Sequence, residues 1–168
     1  MRDKNGAGNF PKVEIIPHGV DRNRFYPLPE LVKTGFASQG RTEAKRRVFG
    51  DFSDLNDSFV VLNASRPDKR KRIDLTFAGF AKFAAGKPAN VRLCLHQAIR
   101  GDAEDQQMAS FIRRYGLGER VFLNPLPKGI VDDDELNLLY NACDAGINTA
   151  MGEGWSPVNA TAAPPFRE

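Results

Sequence analysis

The chain has 168 residues and a mass of 18.6 kDa, which is the size of one ordinary domain. Hydrophobic residues make up 41% and charged residues 27%, a composition that excludes a disordered, collagen-like or coiled-coil chain. No apolar stretch reaches the roughly 18 residues of a membrane-spanning helix, and the polar amino terminus has no signal-peptide pattern, so we expect a cytoplasmic protein. The formal net charge of +3 is too small to indicate a nucleic-acid partner by itself. We expect one folded domain with one core.

The amino-terminal quarter of the sequence is predicted to contain little regular structure. Residues 1–12 show no hydrophobic periodicity and are expected to form a flexible lead-in. Residues 13–16 are a short apolar run that ends at Pro17, which predicts the end of a strand. Proline and glycine interrupt residues 21–40, which indicates a long connection. Residues 13–40 are therefore predicted to be a linker region.

From residue 41 onward, predicted strands alternate with predicted helices. Continuous apolar runs predict strands at residues 58–63, 91–95, 121–123 and 145–148. Helical spacing of apolar residues predicts helices over residues 42–49 and 73–84, a third with Met108, Phe111, Ile112 and Tyr115 on one face, and a fourth with Leu136, Leu139, Tyr140 and Cys143 on its inner face. This alternation predicts an α/β fold, a Rossmann-like parallel sheet flanked by helices, over residues 41–155. In such sheets ligands bind at the carboxyl ends of the strands.

The two cysteines are predicted to be structural. Cys94 and Cys143 lie in separate apolar runs without the spacing of zinc or redox motifs, so we expect buried free thiols. The acidic residues 132–134 are interpreted as the start of the fourth helix, because negative charge stabilises the amino end of a helix. No metal site is predicted.

A dense basic segment follows the first strand of the predicted sheet. Residues 66–72 contain five cations in seven positions. An anion site and a plain solvated loop are both compatible with this run, and a nucleic-acid or acidic-lipid patch is a further alternative. No aromatic side chain lies within the run to stack on bases, and the P-loop pattern is absent.

A carboxylate between two glycines follows the last predicted strand, in the segment Gly152-Glu153-Gly154-Trp155. Such a carboxylate can approach a ligand hydroxyl closely, because the flanking glycines have no Cβ. A plain turn with a solvent-facing glutamate is the alternative interpretation.

Four segments, in this order, together resemble the carboxyl-terminal, donor-binding domain of glycosyltransferases with the GT-B fold, family 4 or group 1. They are residues 16–21 with Phe25 and Pro27, residues 65–74, residues 134–144 and residues 152–155. The resemblance implies a retaining hexosyltransferase that moves a sugar from a nucleoside diphosphate to an acceptor hydroxyl. In such an enzyme, residues 13–40 would connect an amino-terminal acceptor domain, missing from this chain, to the donor domain.

The resemblance also implies roles for individual residues. Arg66 and Lys71 match paired cations that hold the diphosphate and stabilise its departure, in place of a metal ion or other cofactor. Glu153, with Gly154, matches the segment that binds hydroxyls of the transferred sugar, and the loop around Leu126 matches the place where backbone groups meet the base. Catalytic roles would fall to Glu153, Arg66 and Lys71.

Residues 156–168 depart from the family pattern. The family has a second, ribose-binding glutamate eight positions after Glu153, where this chain has Thr161, and Pro164 and Pro165 interrupt the helix expected there. We therefore expect an atypical, disordered or truncated tail and an inactive fragment.

The resemblance also allows for peripheral membrane association of the full enzyme. A non-catalytic polyanion-binding module and another Rossmann-like sugar-nucleotide enzyme remain alternatives. The sequence does not indicate the sugar, base, acceptor or oligomeric state.

Overall fold

The computed structural model describes residues 14, 19–28, 39–50, 57–97, 101–126 and 131–152. These residues form four helices and four strands, in the order α1 Gln39–Phe49, β1 Phe59–Asn63, α2 Ile73–Ala84, β2 Val91–Leu95, α3 Asp102–Arg114, β3 Val121–Leu123, α4 Asp133–Ala142 and β4 Ala145–Gly146. Short 3-10 turns at Lys69–Lys71 and Gly118–Arg120 precede α2 and β3. None of the helices described is long and apolar enough to cross a membrane.

The strands form one parallel sheet in the order β3-β2-β1-β4. β1 pairs with β2 along its whole length, from Phe59 opposite Val91 to Asn63 opposite Leu95. β1 has neighbours on both sides and helices over both faces, which explains its uninterrupted apolar run. The predicted Rossmann-like α/β fold is confirmed.

Alternate side chains of the central strands enter two different apolar layers. Val60, Leu62 and Cys94 pack with α1 and α4 on one face of the sheet. Val61 and Leu93 pack with α2 and α3 on the other face. The sequence predicted one core, but the structure has two, because a sheet covered on both faces buries apolar side chains on each side.

Most predicted elements appear; the bounds of α2, β2 and β3 are those predicted, whereas those of α1 and β4 differ. α1 begins at Gln39, three residues before the predicted start. β4 has two residues, not the predicted four, because after Ile147, whose N–H donates to the Leu62 carbonyl, the chain turns and Asn148 Oδ1 accepts from the N–H of Ala150. The predicted strand end at residues 13–16 lies outside the described residues except for Glu14, which is not in a strand. The predicted lead-in and tail also lie outside them.

The start of α4 and the state of the thiols agree with prediction. Asp132 caps α4 by accepting from the N–H of Glu135 at 2.8 Å, and the Glu135 carboxylate accepts in return from the N–H of Asp132. Cys94 and Cys143 are both buried and free. Burial and the neighbouring Cys94 raise the pKa of the Cys143 thiol well above its usual value, so Cys143 behaves as a small apolar side chain.

A buried ion pair fastens α1 to the amino-terminal edge of the sheet. Lys45 is 3% exposed, and its ammonium group lies 3.0 Å from Asp144 Oδ2 and also donates to the Ser58 carbonyl. The Asp144 carboxylate accepts two further bonds, from Arg41 NH1 at 2.8 Å and from the N–H of Val60 at 2.8 Å. Both carboxylate oxygens are therefore satisfied, which is the condition under which a buried charge can be tolerated.

Replacing Asp144→Ala is expected to lower the free energy of unfolding by about 3–5 kcal/mol, because it leaves the buried Lys45 ammonium without its counter-charge. Urea denaturation measures this change. Glu43→Ala is the matched control, since it removes an exposed ion pair with Arg46 on the same helix and should have a much smaller effect. Equal losses in the two variants would contradict the structural role of the Asp144 contacts.

Candidate functional site

A strained turn follows β1 at the carboxyl edge of the sheet. Asp68 begins the turn by accepting from the N–H of Arg70 at 2.8 Å. Arg72 ends it with φ of 48° and ψ of 51°, a left-handed conformation that disfavours residues other than glycine. The Arg72 guanidinium grips the Asp74 carboxylate with NH2–Oδ2 and Nε–Oδ1 distances of 2.7 and 2.9 Å, and this contact lowers the pKa of Asp74. The basic segment is thus folded into one defined turn.

A series of side-chain hydrogen bonds connects this turn to the end of β1 and to the segment after β4. The Asn63 amide donates to Thr76 Oγ1 at 2.8 Å, and Thr76 Oγ1 lies 2.8 Å from Thr149 Oγ1. The Thr149 hydroxyl lies 2.9 Å from the carbonyl oxygens of both Lys71 and Arg72, to which it donates. Since Thr149 has a single proton to give, Thr76 is the donor between the two hydroxyls. We call Asn63, Thr76 and Thr149 the hydroxyl relay.

The segment after β4 continues along the same turn. The N–H of Met151 donates to the Arg70 carbonyl at 2.9 Å, and the Arg70 guanidinium donates to the carbonyl of Gly152. Together with the hydroxyl relay, these bonds hold residues 149–152 against residues 70–72. The loops that follow β1 and β4 therefore meet at one edge.

The residues singled out from the sequence take different positions at this edge. Arg66 is exposed, and its side chain has no hydrogen bond or ion pair within the part of the chain that the structure describes. Lys71 is half-buried on the turn. Leu126 is 7% exposed and packs into the apolar layer beneath α1 and α4, so its side chain is not available to a ligand. Glu153 and Gly154 lie outside the described residues, directly after Gly152.

The sequence interpretation passed over two polar residues that directly follow β2, His96 and Gln97. Their backbones are fixed to the end of β1 and to the loop after β3, with the N–H of His96 3.0 Å from the Asn63 carbonyl and the N–H of Gln97 2.6 Å from Asn124 Oδ1. Burial lowers the pKa of His96. The available signal was their place immediately after an apolar strand, at the edge where ligands bind.

A cavity of about 640 Å³ opens between the basic turn and the amino-terminal half of α3. Lys69 and Arg72 line it together with Asp74, Glu104 and Phe111. Its volume is in the range of small-molecule sites. Within the ranges described, no group of three His, Cys, Asp or Glu side chains is arranged to hold a metal ion.

No family model matches the chain. Its sequence is 26% identical over 160 residues to mannosylfructose-phosphate synthase of Agrobacterium fabrum (strain C58 / ATCC 33970), in an alignment that covers 90% of this chain. The chain spans 31% of the length of that relative.

Solved structures of glycosyltransferases share the fold. HepE of Anabaena in complex with UDP-glucose matches with a TM-score of 0.60 and 23% identity, over 89% of this chain and 36% of HepE. The carboxyl-terminal domain of a glycosyl transferase group 1 family protein, LpcC of Francisella tularensis, matches with a TM-score of 0.58 and 16% identity, over 86% of this chain and 67% of that domain. The resemblance to the carboxyl-terminal domain of GT-B glycosyltransferases is confirmed.

Replacing Thr149→Val is expected to lower the free energy of unfolding by about 1–3 kcal/mol, because it removes the proton that is donated to the Lys71 and Arg72 carbonyls and the acceptor of the buried Thr76 hydroxyl. Thr149→Ser keeps the hydroxyl and is expected to cost clearly less. Thermal and urea unfolding of the two variants measure the difference. If serine were as destabilising as valine, the lost methyl group, and not the hydroxyl relay, would be the stabilising element.

Proposed function

We propose that this chain is the donor-binding part of a glycosyltransferase and that it binds a nucleoside diphosphate sugar at the carboxyl edge of the sheet. Arg66 and Lys71 hold the diphosphate, Glu153 and Gly154 bind hydroxyls of the sugar, and the backbone near Leu126 meets the base. The complete enzyme transfers a hexosyl group to an acceptor hydroxyl with retention of configuration. Since the chain spans 31% of its sequence relative, we expect these residues alone to bind nucleotide without transferring sugar.

The observation that carries this proposal is the contact between residues 149–152 and the basic turn. Gly152 accepts from the Arg70 guanidinium and Thr149 donates to the Lys71 carbonyl. Gly152, which directly precedes Glu153 in the sequence, therefore lies at the same edge as the cations. A diphosphate and the sugar attached to it are adjacent groups of one molecule. Adjacent binding loops are what such a ligand requires.

The chemistry of the transfer also supports cations at this place. Negative charge grows on the nucleoside diphosphate as its bond to the sugar breaks. Fixed cations that face those oxygens stabilise the transition state more than the ground state. Arg66 suits the task because a guanidinium can bind two phosphate oxygens at once.

The alternative of a polyanion-binding module is disfavoured by the internal bonds of the turn. Arg72 pairs with Asp74, and Arg70 donates to the Gly152 carbonyl. Arg70 and Arg72 are therefore committed within the domain. A surface for nucleic acid or acidic lipid would favour cations that all face outward.

Arg66→Ala and Lys71→Ala are each expected to weaken the binding of UDP, GDP or ADP about tenfold or more, since each removes a charge-assisted hydrogen bond to phosphate. Isothermal titration calorimetry measures the dissociation constants. Arg113→Ala, which removes an exposed cation in the last turn of α3, is the charge-matched control and should leave binding unchanged. Binding that survives both site substitutions would refute the phosphate site. Steep salt dependence without nucleotide competition would favour the polyanion-binding alternative.

Chelation of divalent metals is expected to leave nucleotide binding unchanged, because the cations of the chain would neutralise the diphosphate. The measurement is the same titration with and without EDTA. A loss of affinity in EDTA that added Mg²⁺ or Mn²⁺ restores would contradict the proposed replacement of a metal by Arg66 and Lys71.

A further inference from the structure

His96 and Gln97 form the rigid end of β2 at the carboxyl edge. Their N–H groups donate to the neighbours on either side, to the carbonyl of Asn63, the last residue of β1, and to the Asn124 side chain after β3. Asn124 is itself held in a left-handed conformation, with φ of 47°, and its N–H donates to the Leu95 carbonyl at 2.8 Å. The backbone of this segment is thus fixed from both sides.

The side chains of this segment have unmet hydrogen-bonding capacity. Gln97 is 6% exposed, yet neither its Oε1 nor its Nε2 has a hydrogen-bond partner among the residues described. His96 Nδ1 is buried and equally without a partner there, and its lowered pKa keeps the ring neutral near pH 7. Buried polar groups of native proteins are nearly always paired, and an unpaired one destabilises the fold. A ligand would supply the missing partners.

The order of the strands indicates which part of a donor approaches β2. β2 lies between β1 and β3, and β4 lies on the far side of β1. In the proposed site the diphosphate lies at the turn after β1 and the sugar lies toward the loop after β4. A donor extended along this edge directs its nucleoside toward β2.

The chemistry of the two side chains agrees with that direction. A carboxamide offers both donors and an acceptor, and a neutral imidazole offers one of each. Such uncharged groups match the mixed donors and acceptors on the edge of a nucleobase. Phosphate oxygens, by contrast, are bound best by cations, which the turn after β1 already provides.

We propose that Gln97, with His96 beside it, hydrogen-bonds the nucleobase of the donor and selects among bases. This inference rests on the proposed donor site. The Gln97 side chain has three torsions, so its carboxamide can turn toward a bound base while the fixed backbone stays in place.

Gln97→Met tests the inference, because methionine keeps the unbranched shape and removes both polar atoms. UDP, GDP and ADP are titrated by calorimetry against the 168-residue chain and against the variant. We expect the tightest nucleotide to weaken about tenfold and the other two by about twofold or less, so that the preference among bases flattens. We also expect the melting temperature of the ligand-free variant to rise, since an unpaired buried carboxamide is gone.

The outcomes separate this inference from the proposed function. Equal weakening of all three nucleotides, an unchanged preference, or no preference in the unsubstituted chain overturns the role of Gln97 alone. Failure of the unsubstituted chain to bind any of the three overturns the donor site and the inference together. Arg66→Ala is the reference variant, because loss of a phosphate contact weakens all three alike and keeps the preference.

A second measurement uses the unsubstituted chain. The ¹⁵N–¹H signals of the Gln97 side-chain amide, assigned through bonds, are expected to shift when the tightest nucleotide is added. Signals that stay in place at saturation would show that the carboxamide does not meet the base, whatever the stability of the methionine variant.

Discussion

The left-handed backbone conformation of Arg72 is strained, and hydrogen bonds from the neighbouring segments at the carboxyl edge hold it in place. A turn that ends this way aims the carbonyls of Lys71 and Arg72 at the loop after β4, where the Thr149 hydroxyl receives both. Thr149 is in turn fixed by the buried hydroxyl of Thr76, which the Asn63 amide orients. One strained residue thereby sets the distance between the basic turn and the segment that leads to Glu153. Strain held in place by satisfied neighbours is common at binding sites.

The two edges of the sheet differ in whether their charged side chains are paired within the protein. At the amino edge, Asp144 is enclosed by Lys45, Arg41 and the N–H of Val60, so its charge is balanced inside the protein. At the carboxyl edge, Arg66 is exposed and its charge is unbalanced among the residues described. The first arrangement stabilises the fold, and the second is compatible with the proposed phosphate contact of Arg66. The same protein can carry both because the strands separate the two edges.

Local patterns predicted the fold well, and long-range contacts explain what they missed. The apolar run of β1 and the acidic start of α4 are encoded within a few residues, so each was predicted from its own segment. The shortness of β4 was missed because the chain leaves the sheet to reach the basic turn. The hydroxyl relay joins Thr76 to Thr149, 73 positions apart, and no periodicity reveals such a pair. Gln97 was missed because an unpaired polar atom is visible only once its neighbours are placed.

The solvent exposure of the proposed phosphate-binding cations determines how strongly the described domain can bind a diphosphate by itself. Two opposite charges about 4 Å apart attract by about 1 kcal/mol in bulk water and by about 4 kcal/mol at an effective dielectric constant near 20. Since Arg66 faces solvent, its attraction for a diphosphate lies between these two values, which is enough to favour binding and too little for a large rate enhancement. A surface that covers the donor and excludes water would strengthen the same contact without any change in the cation. Under the proposed function, binding of the donor requires this domain alone, whereas sugar transfer requires a second wall over the carboxyl edge.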